Sequence, residues 1–375
     1  DKLGPGFTWK TQVYRDGTVK KDVLNGNLYI KGYGDPFMTA EYFWRFLRSI
    51  RDTGIAHIQG NLVLDTSYFL PDEEDPGDFD GKPLRAYNVS PNALLVNFQS
   101  IRFEFSPDLA NASVSINAFP KLATFEIANK LSIRQGSCGN WKAAILMQIV
   151  PQIDLDQVQF SGRYGADCDK QSMYRVVNNP QRYFDGIFHL IWNELGGKLD
   201  GKVQTGIVPI FAKQVHTETS LPLADLLRGI NKFSNNVMTK QLLLTLAAEI
   251  AGAPGSRQKG IELLHAWLRQ RGLFTDKTVL ANGAGLARET RISARQLGAL
   301  LIQVFNEPYM PEFISSLPIS SVDGTMRHRF NGSQLRGRMH IKTGTLDFVR
   351  TMAGYVLSRS GKRYAVVMLH IHARA

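Results

Sequence analysis

Apolar positions along this chain recur at two spacings, and the spacing changes with position. "VLNGNLYIKGYGDP" alternates like a strand and ends in a Gly/Pro turn, and "AHIQGNLVLDTSYF" does the same about thirty residues later. Between them "TAEYFWRFLRSIRDTG" has helical periodicity, with Thr39 at the N-cap and Gly54 past its end. The two strands echo each other, Gly26-Asn27-Leu28 against Gly60-Asn61-Leu62, so the stretch predicts one strand–helix–strand unit. From about 90 to 206 short β-type runs ("IRFEFSP", "ASVSINAF", "ATFEIANKLSI", "VQFSGRY") alternate with turns around one helix, "PQRYFDGIFHLIWNELGG". That pattern predicts a small β-rich module.

After residue 207 helices dominate. "SLPLADLLRGIN" reads as a helix with Ser220 as N-cap and Pro222 in its first turn. "VMTKQLLLTLAAEIAG" is apolar almost all round and stops at Gly252, as expected of a buried helix. "SRQKGIELLHAWLRQRG" is amphipathic, with Ile261, Leu264 and Leu268 on one face, and Ser293 and Gln296 form a capping box before "ARQLGALLIQVF". At the end "FVRTMAGYVLS" pairs with "RYAVVMLHI" across "RSGK" as a hairpin. The expected class is α/β, with helices packed on an antiparallel sheet, alongside the β-rich module.

Composition narrows the class. A chain of 375 residues with 43 % apolar and 21 % charged positions is globular and long enough for two or three domains. No apolar run approaches membrane-spanning length, and "DKLGPGFTWK" shows no apolar signal segment. The net charge of +11 suits nucleic acid, anionic lipid or an acidic polymer such as a cell wall. The basic residues are scattered, and no zinc-finger or helix-turn-helix pattern accompanies them, so a solvated basic face is expected and no nucleic-acid partner. "GYGDPF" lacks the third glycine of a dinucleotide loop and reads as a turn. The acidic "LPDEEDPGDFDGKP" lacks EF-hand spacing and reads as a solvated loop. His370 and His372 alternate on a strand without a third ligand, so no metal and no cofactor is expected. Cys138 and Cys168 lie in Gly-rich polar loops, as one disulfide or as two separate thiols.

Candidate chemistry sits in two tripeptides. Ser234-Asn235-Asn236 falls in the break between two helices and projects a hydroxyl and an amide from one short loop. Lys342-Thr343-Gly344 lies on a strand about a hundred residues later. Each has a plain structural alternative: Ser234 and Asn236 as helix caps, Lys342 as an edge-strand charge against aggregation. Their order and contexts match the second and third parts of the site of penicillin-recognising serine enzymes, whose first part is Ser-x-x-Lys.

On those motifs the chain resembles the penicillin-binding D-alanyl-D-alanine carboxypeptidase/endopeptidase family, the class C low-molecular-mass type. "NGAGLARETRIS", "LPISSVDGTMRHRF" and "GRMHIKTGTLDFVRTMAGYV" are similar to that family, and "GNLYIKGYGDP" and "GNLVLDTSYF" to its large insertion. Ala284 and Ala287 depart from it, where serines are usual. The resemblance implies a penicillin-recognising domain at 1–22 and 207–375, and an inserted module of two nested subdomains at 23–206. It also implies a serine acyl-enzyme acting on peptidoglycan stem peptides, β-lactams as acylating inhibitors, and a periplasmic location. A homodimer is a candidate assembly. Ser234 would relay a proton to the leaving amine, and Asn236 would hold the peptide. Lys342 and Thr343 would take the terminal carboxylate, Gly344 would let the ligand approach, and the Thr345 N–H would serve an oxyanion hole. The single Ser-x-x-Lys of the sequence, Ser256 to Lys259, follows Ser234 instead of preceding it and reads as a surface N-cap. The expectation is therefore a chain that starts after the nucleophile's helix and stops before a last helix, with catalysis belonging to the complete protein. A β-lactamase and a non-catalytic wall-binding protein are the rival readings.

Overall fold

The structure, a computed structural model, describes residues 2–71, 75–153, 155–177 and 179–373. Its first half is organised by a five-stranded sheet. The strands are β1 (Lys10–Arg15), β2 (Leu28–Gly32), β3 (Leu62–Asp65), β4 (Val203–Thr205) and β5 (Lys213–Thr219), in the order β4-β3-β2-β1-β5. Helix α1 (Ala40–Asp52) joins β2 to β3, which lie parallel with Leu28 opposite Leu62. The echoed Gly-Asn-Leu steps are thus neighbours in register. A ladder runs along their turns: Asn27 N–H donates to Asp16 Oδ1, Asn61 N–H to Asn27 Oδ1 (2.8 Å) and Lys202 N–H to Asn61 Oδ1 (2.9 Å). The sheet takes β1 and β5 from the stretches 1–22 and 207–375, and β2, β3 and β4 from 23–206. β1 finds antiparallel partners on both sides, β2 and β5, which satisfies both of its backbone edges.

One face of this sheet, with Val13, Leu28, Ile30, Leu62 and Leu64, packs on Phe43, Phe46, Leu47 and Ile50 of α1. Helix α2 (Pro180–Glu194) adds Phe184, Ile187, Phe188 and Trp192 to the same core. The stretch between is β-rich, as expected. Strand 101–108 lies between 113–119 and 171–175, and strand 156–165 lies between 145–150 and 125–134. Phe103, Phe105, Phe160 and Tyr164 fill the space between those sheets. Cys138 and Cys168 form a disulfide, their Cα atoms 4.6 Å apart, so of the two cysteine readings the bonded one holds.

The second half carries α3 (Leu223–Phe233), α4 (Asn236–Ala251), α5 (Arg257–Gln270), α6 (Ala294–Phe305) and α7 (Met310–Ser316). An antiparallel sheet follows, β6 (Met339–Leu346), β7 (Val349–Leu357) and β8 (Arg363–Ile371), in that spatial order. α4 is buried along most of its length, and Trp9 reaches it from the start of β1, its indole N–H 2.9 Å from Thr245 Oγ1. Leu301 of α6 and Leu317 just past α7 cover one face of the terminal sheet over Tyr355, whose hydroxyl donates to Leu301 O at 2.7 Å. The expected capping box of α6 forms. The expected cap at Ser220 does not: α3 begins at Leu223 with Pro222 in the cap position. The Ser220 hydroxyl is occupied elsewhere, accepting from the Trp9 N–H and donating to Leu221 O, so it ties β1 to the helix instead of starting it.

Candidate active site

Ser234 is the hinge of the corner between α3 and α4. It closes α3 in a left-handed conformation, φ 55° and ψ 49°. A non-glycine residue there costs about 1–2 kcal/mol, and such strain is retained mainly where the surroundings dictate it. The corner throws the Ser234 side chain out of both helices. Asn235 then does the capping, its side-chain oxygen accepting from Met238 N–H at 3.1 Å. The alternative in which Ser234 and Asn236 are the caps is therefore set aside. Asn236 is the first residue of α4 and directs its side chain across to the 282–289 loop, where Nδ2 donates to Ala284 O at 3.0 Å. The partner is a backbone carbonyl, so alanine at 284 leaves this contact intact.

The other half of the site is β6, the edge strand of its sheet. Its upstream part is covered on the outer side, where Ile341 N–H donates to Pro318 O and Ser320 N–H to Met339 O. Backbone groups alternate sides along an antiparallel strand. The N–H groups of Thr343 and Thr345 therefore face the same outer side, past the point where that cover ends. Lys342 bridges the two halves: its Nζ donates to Ser234 Oγ at 2.7 Å and to Thr343 O at 2.8 Å. Burial disfavours the ammonium and lowers its pKa below the ordinary 10.5. Thr343 is buried, and its hydroxyl donates to Thr325 Oγ1 at 2.8 Å. Gly344 lies opposite Thr351 of β7, and a Cβ at 344 would collide with the Thr351 hydroxyl. Any side chain at 344 would have to displace the Thr351 hydroxyl, a constraint from the neighbouring strand that is distinct from ligand approach.

The fold thus brings Ser234, Asn236, Lys342 and Thr343 into one cluster around an open strand edge. Ser256 stays outside it. Its hydroxyl accepts from Lys259 N–H at the start of α5, and Lys259 Nζ donates to Gly252 O and Pro254 O, the arrangement of an N-cap. His370 and His372 stack on each other, centroids 6.1 Å apart, and no metal-binding cluster is found among the described residues.

Two features escaped the sequence reading. A cavity of about 130 Å³ opens against the 282–289 loop, lined by Asp75, Asp78, Lys240, Asn282, Arg288 and Glu289 among others. Part of the acidic loop, read as solvated, forms one of its walls, while Asp72, Glu73 and Glu74 lie outside the described residues. The second is the role of Asp323 and Thr325: the stretch "LPISSVDGTMRHRF" that holds them is family-like, but nothing in it shows which side chains they meet.

The model of the D-Ala-D-Ala carboxypeptidase 3 (S13) family matches residues 1–372. The chain is 24 % identical over 367 residues to D-alanyl-D-alanine carboxypeptidase DacB of Haemophilus influenzae, covering 97 % of this chain and 76 % of that protein. It is 26 % identical over 377 residues to a D-alanyl-D-alanine carboxypeptidase of an Actinomadura species, covering 96 % and 68 %. The crystal structure of penicillin binding protein 4 (DacB) from H. influenzae superposes with a TM-score of 0.82 at 24 % identity, over 99 % of this chain and 82 % of that one. A further structure of that protein is a complex with a β-lactam, TM-score 0.77.

Proposed function

The chain belongs to the D-Ala-D-Ala carboxypeptidase 3 (S13) family, and from that premise we propose that the cleft at Ser234, Asn236 and Lys342 serves serine acyl transfer on peptidoglycan stem peptides ending in D-Ala-D-Ala. Lys342 is the observation that carries the reading. It is a part-buried cation whose partners in the site are a hydroxyl and a carbonyl, neither of them charged. A desolvated ammonium without a counter-charge is unfavourable. The position suits a ligand that brings a carboxylate, as a peptide C-terminus and a penicillin both do.

In the proposed reaction a serine attacks the carbonyl between the two D-alanines, and the C–N bond breaks as an ester forms. The proton that leaves with the amine passes through Ser234, whose hydroxyl is held by Lys342. Asn236 holds the acyl side of the peptide, and the mixed-charge cavity against the 282–289 loop, to which Asn236 donates, receives what precedes the D-alanines. Thr345 N–H stabilises the oxyanion, a contribution of about 3 kcal/mol per donor. Water then hydrolyses the ester. The attacking serine is proposed to lie in the complete protein beyond these 375 residues, since Ser256 is occupied as a helix cap. The Cys138–Cys168 disulfide supports an oxidising, extracytoplasmic setting.

Intact mass before and after incubation with penicillin G tests the reading. A protein heavier than the 41.9 kDa of this sequence that gains one penicillin adduct is expected. In it, Lys342→Ala slows acylation by about tenfold or more. A protein of any length that gains no adduct would be a wall-binding protein without chemistry, and rapid loss of the adduct would mark a β-lactamase.

A further inference from the structure

Two contacts of the site lead to one turn, Asp323-Gly324-Thr325, for which the chemistry above has no role. Asp323 Oδ2 accepts from Lys232 Nζ at 2.6 Å, and its Oδ1 accepts from Ile319 N–H at 2.8 Å. Lys232 stands two residues before Ser234 and donates as well to Leu317 O at 3.0 Å. Gly324 has a φ of +55°, and a Cβ there would meet the Lys232 carbonyl, so the turn lies directly against the end of α3. From the same turn Thr325 Oγ1 meets the Thr343 hydroxyl. One three-residue segment therefore touches both halves of the site, the Ser234 corner on one side and β6 on the other.

We propose that Thr325 is a positioning residue of the carboxylate subsite, orienting the Thr343 hydroxyl, and that Asp323 anchors the turn to the Ser234 corner through Lys232. The inference rests on the reading of Lys342 and Thr343 as that subsite. Thr343 donates to Thr325 in the structure. A carboxylate only accepts hydrogen bonds. On its arrival the Thr343 proton turns toward it, and Thr325 donates to Thr343 in turn. The two hydroxyls exchange donor and acceptor roles, and no proton changes owner. Valine at 325 keeps the shape of threonine and removes the donor; serine keeps the donor.

The test compares second-order acylation rates of the complete protein with penicillin G and with its methyl ester, in which the carboxylate is masked. For Thr325→Val the rate with penicillin G is expected to fall about fivefold, the scale of one hydrogen bond between neutral groups. The ester rate is expected to stay near wild type, and Thr325→Ser is expected to restore the rate with penicillin G. Equal losses with acid and ester, no loss with the acid, or failure of serine to restore the rate would each overturn the proposal. Failure of the underlying reading looks different. There the wild type is acylated by neither compound, or Lys342→Ala leaves the preference for the free acid untouched.

Discussion

At Lys342 burial works against the ammonium, and the pKa falls below 10.5 because desolvation outweighs what two neutral acceptors return. An unfolded chain holds that proton up to the ordinary value. Between the folded and unfolded pKa the unfolded state binds more protons, so this residue's burial cost is full below the folded pKa and fades as pH rises from there toward the unfolded value. Carboxylate anchoring needs the ammonium, so the rate of acylation by penicillin, which reports the free enzyme, is expected to decline on the alkaline side from below pH 10.5. Lys342→Arg, whose charge persists, is expected to move that limb upward even if its neutral-pH rate is lower. A wild-type limb at or above the ordinary lysine value would show that the ammonium is not desolvated. Lys342 and Ser234 were legible as residues because each sits in a short motif. Their 2.7 Å contact was not, since no periodicity relates two positions 108 residues apart.

The α3–α4 corner shows how adjacent residues divide the work. Asn235 caps α4, which leaves Ser234 and Asn236 free to face the cleft. Asn235→Ala is expected to cost about 1 kcal/mol of stability, seen as a lower melting temperature, with acylation near wild type. A large loss of acylation without a change in melting temperature would assign Asn235 to the chemistry instead. Among elements, α6 with its capping box, the terminal hairpin and buried α4 were readable because local pattern and final packing agree. α3 was misread at its start because the Ser220 hydroxyl is claimed by Trp9, a partner 211 residues away. The role of Thr325 stayed hidden for the same reason: a threonine in a loop carries no pattern until its partner is in place.

Across the whole molecule, the change from a β-rich part to a helical part near residue 207 was visible in the spacing of apolar positions. The sheet that joins the two was not, because β1 and β5 meet only after the chain has travelled through the β-rich module. That module is closed by the Cys138–Cys168 bond, which spans thirty residues. Replacing both cysteines by serine is expected to cost about 3–4 kcal/mol on loop-closure grounds. The loss is expected in the unfolding transition of the protein and not in acylation by penicillin at temperatures below it. An unchanged transition would mean that packing around Phe105, Trp141 and Tyr164 alone holds the module shut.

The ladder of turns in the five-stranded sheet has a bearing on how such a fold grows. Asp16, Asn27 and Asn61 each offer a side-chain oxygen to the backbone of the next turn, and Lys202, the last to receive, has none to offer. An ammonium presents donors only. A fourth step would find no acceptor, and a foreign strand drifting onto β4 would meet a charge at its first turn. The stack is thus a counted structure, whose length is written in one side chain, while the margin beyond it is held by Gln181, whose Nε2 donates to Val203 O at 3.0 Å.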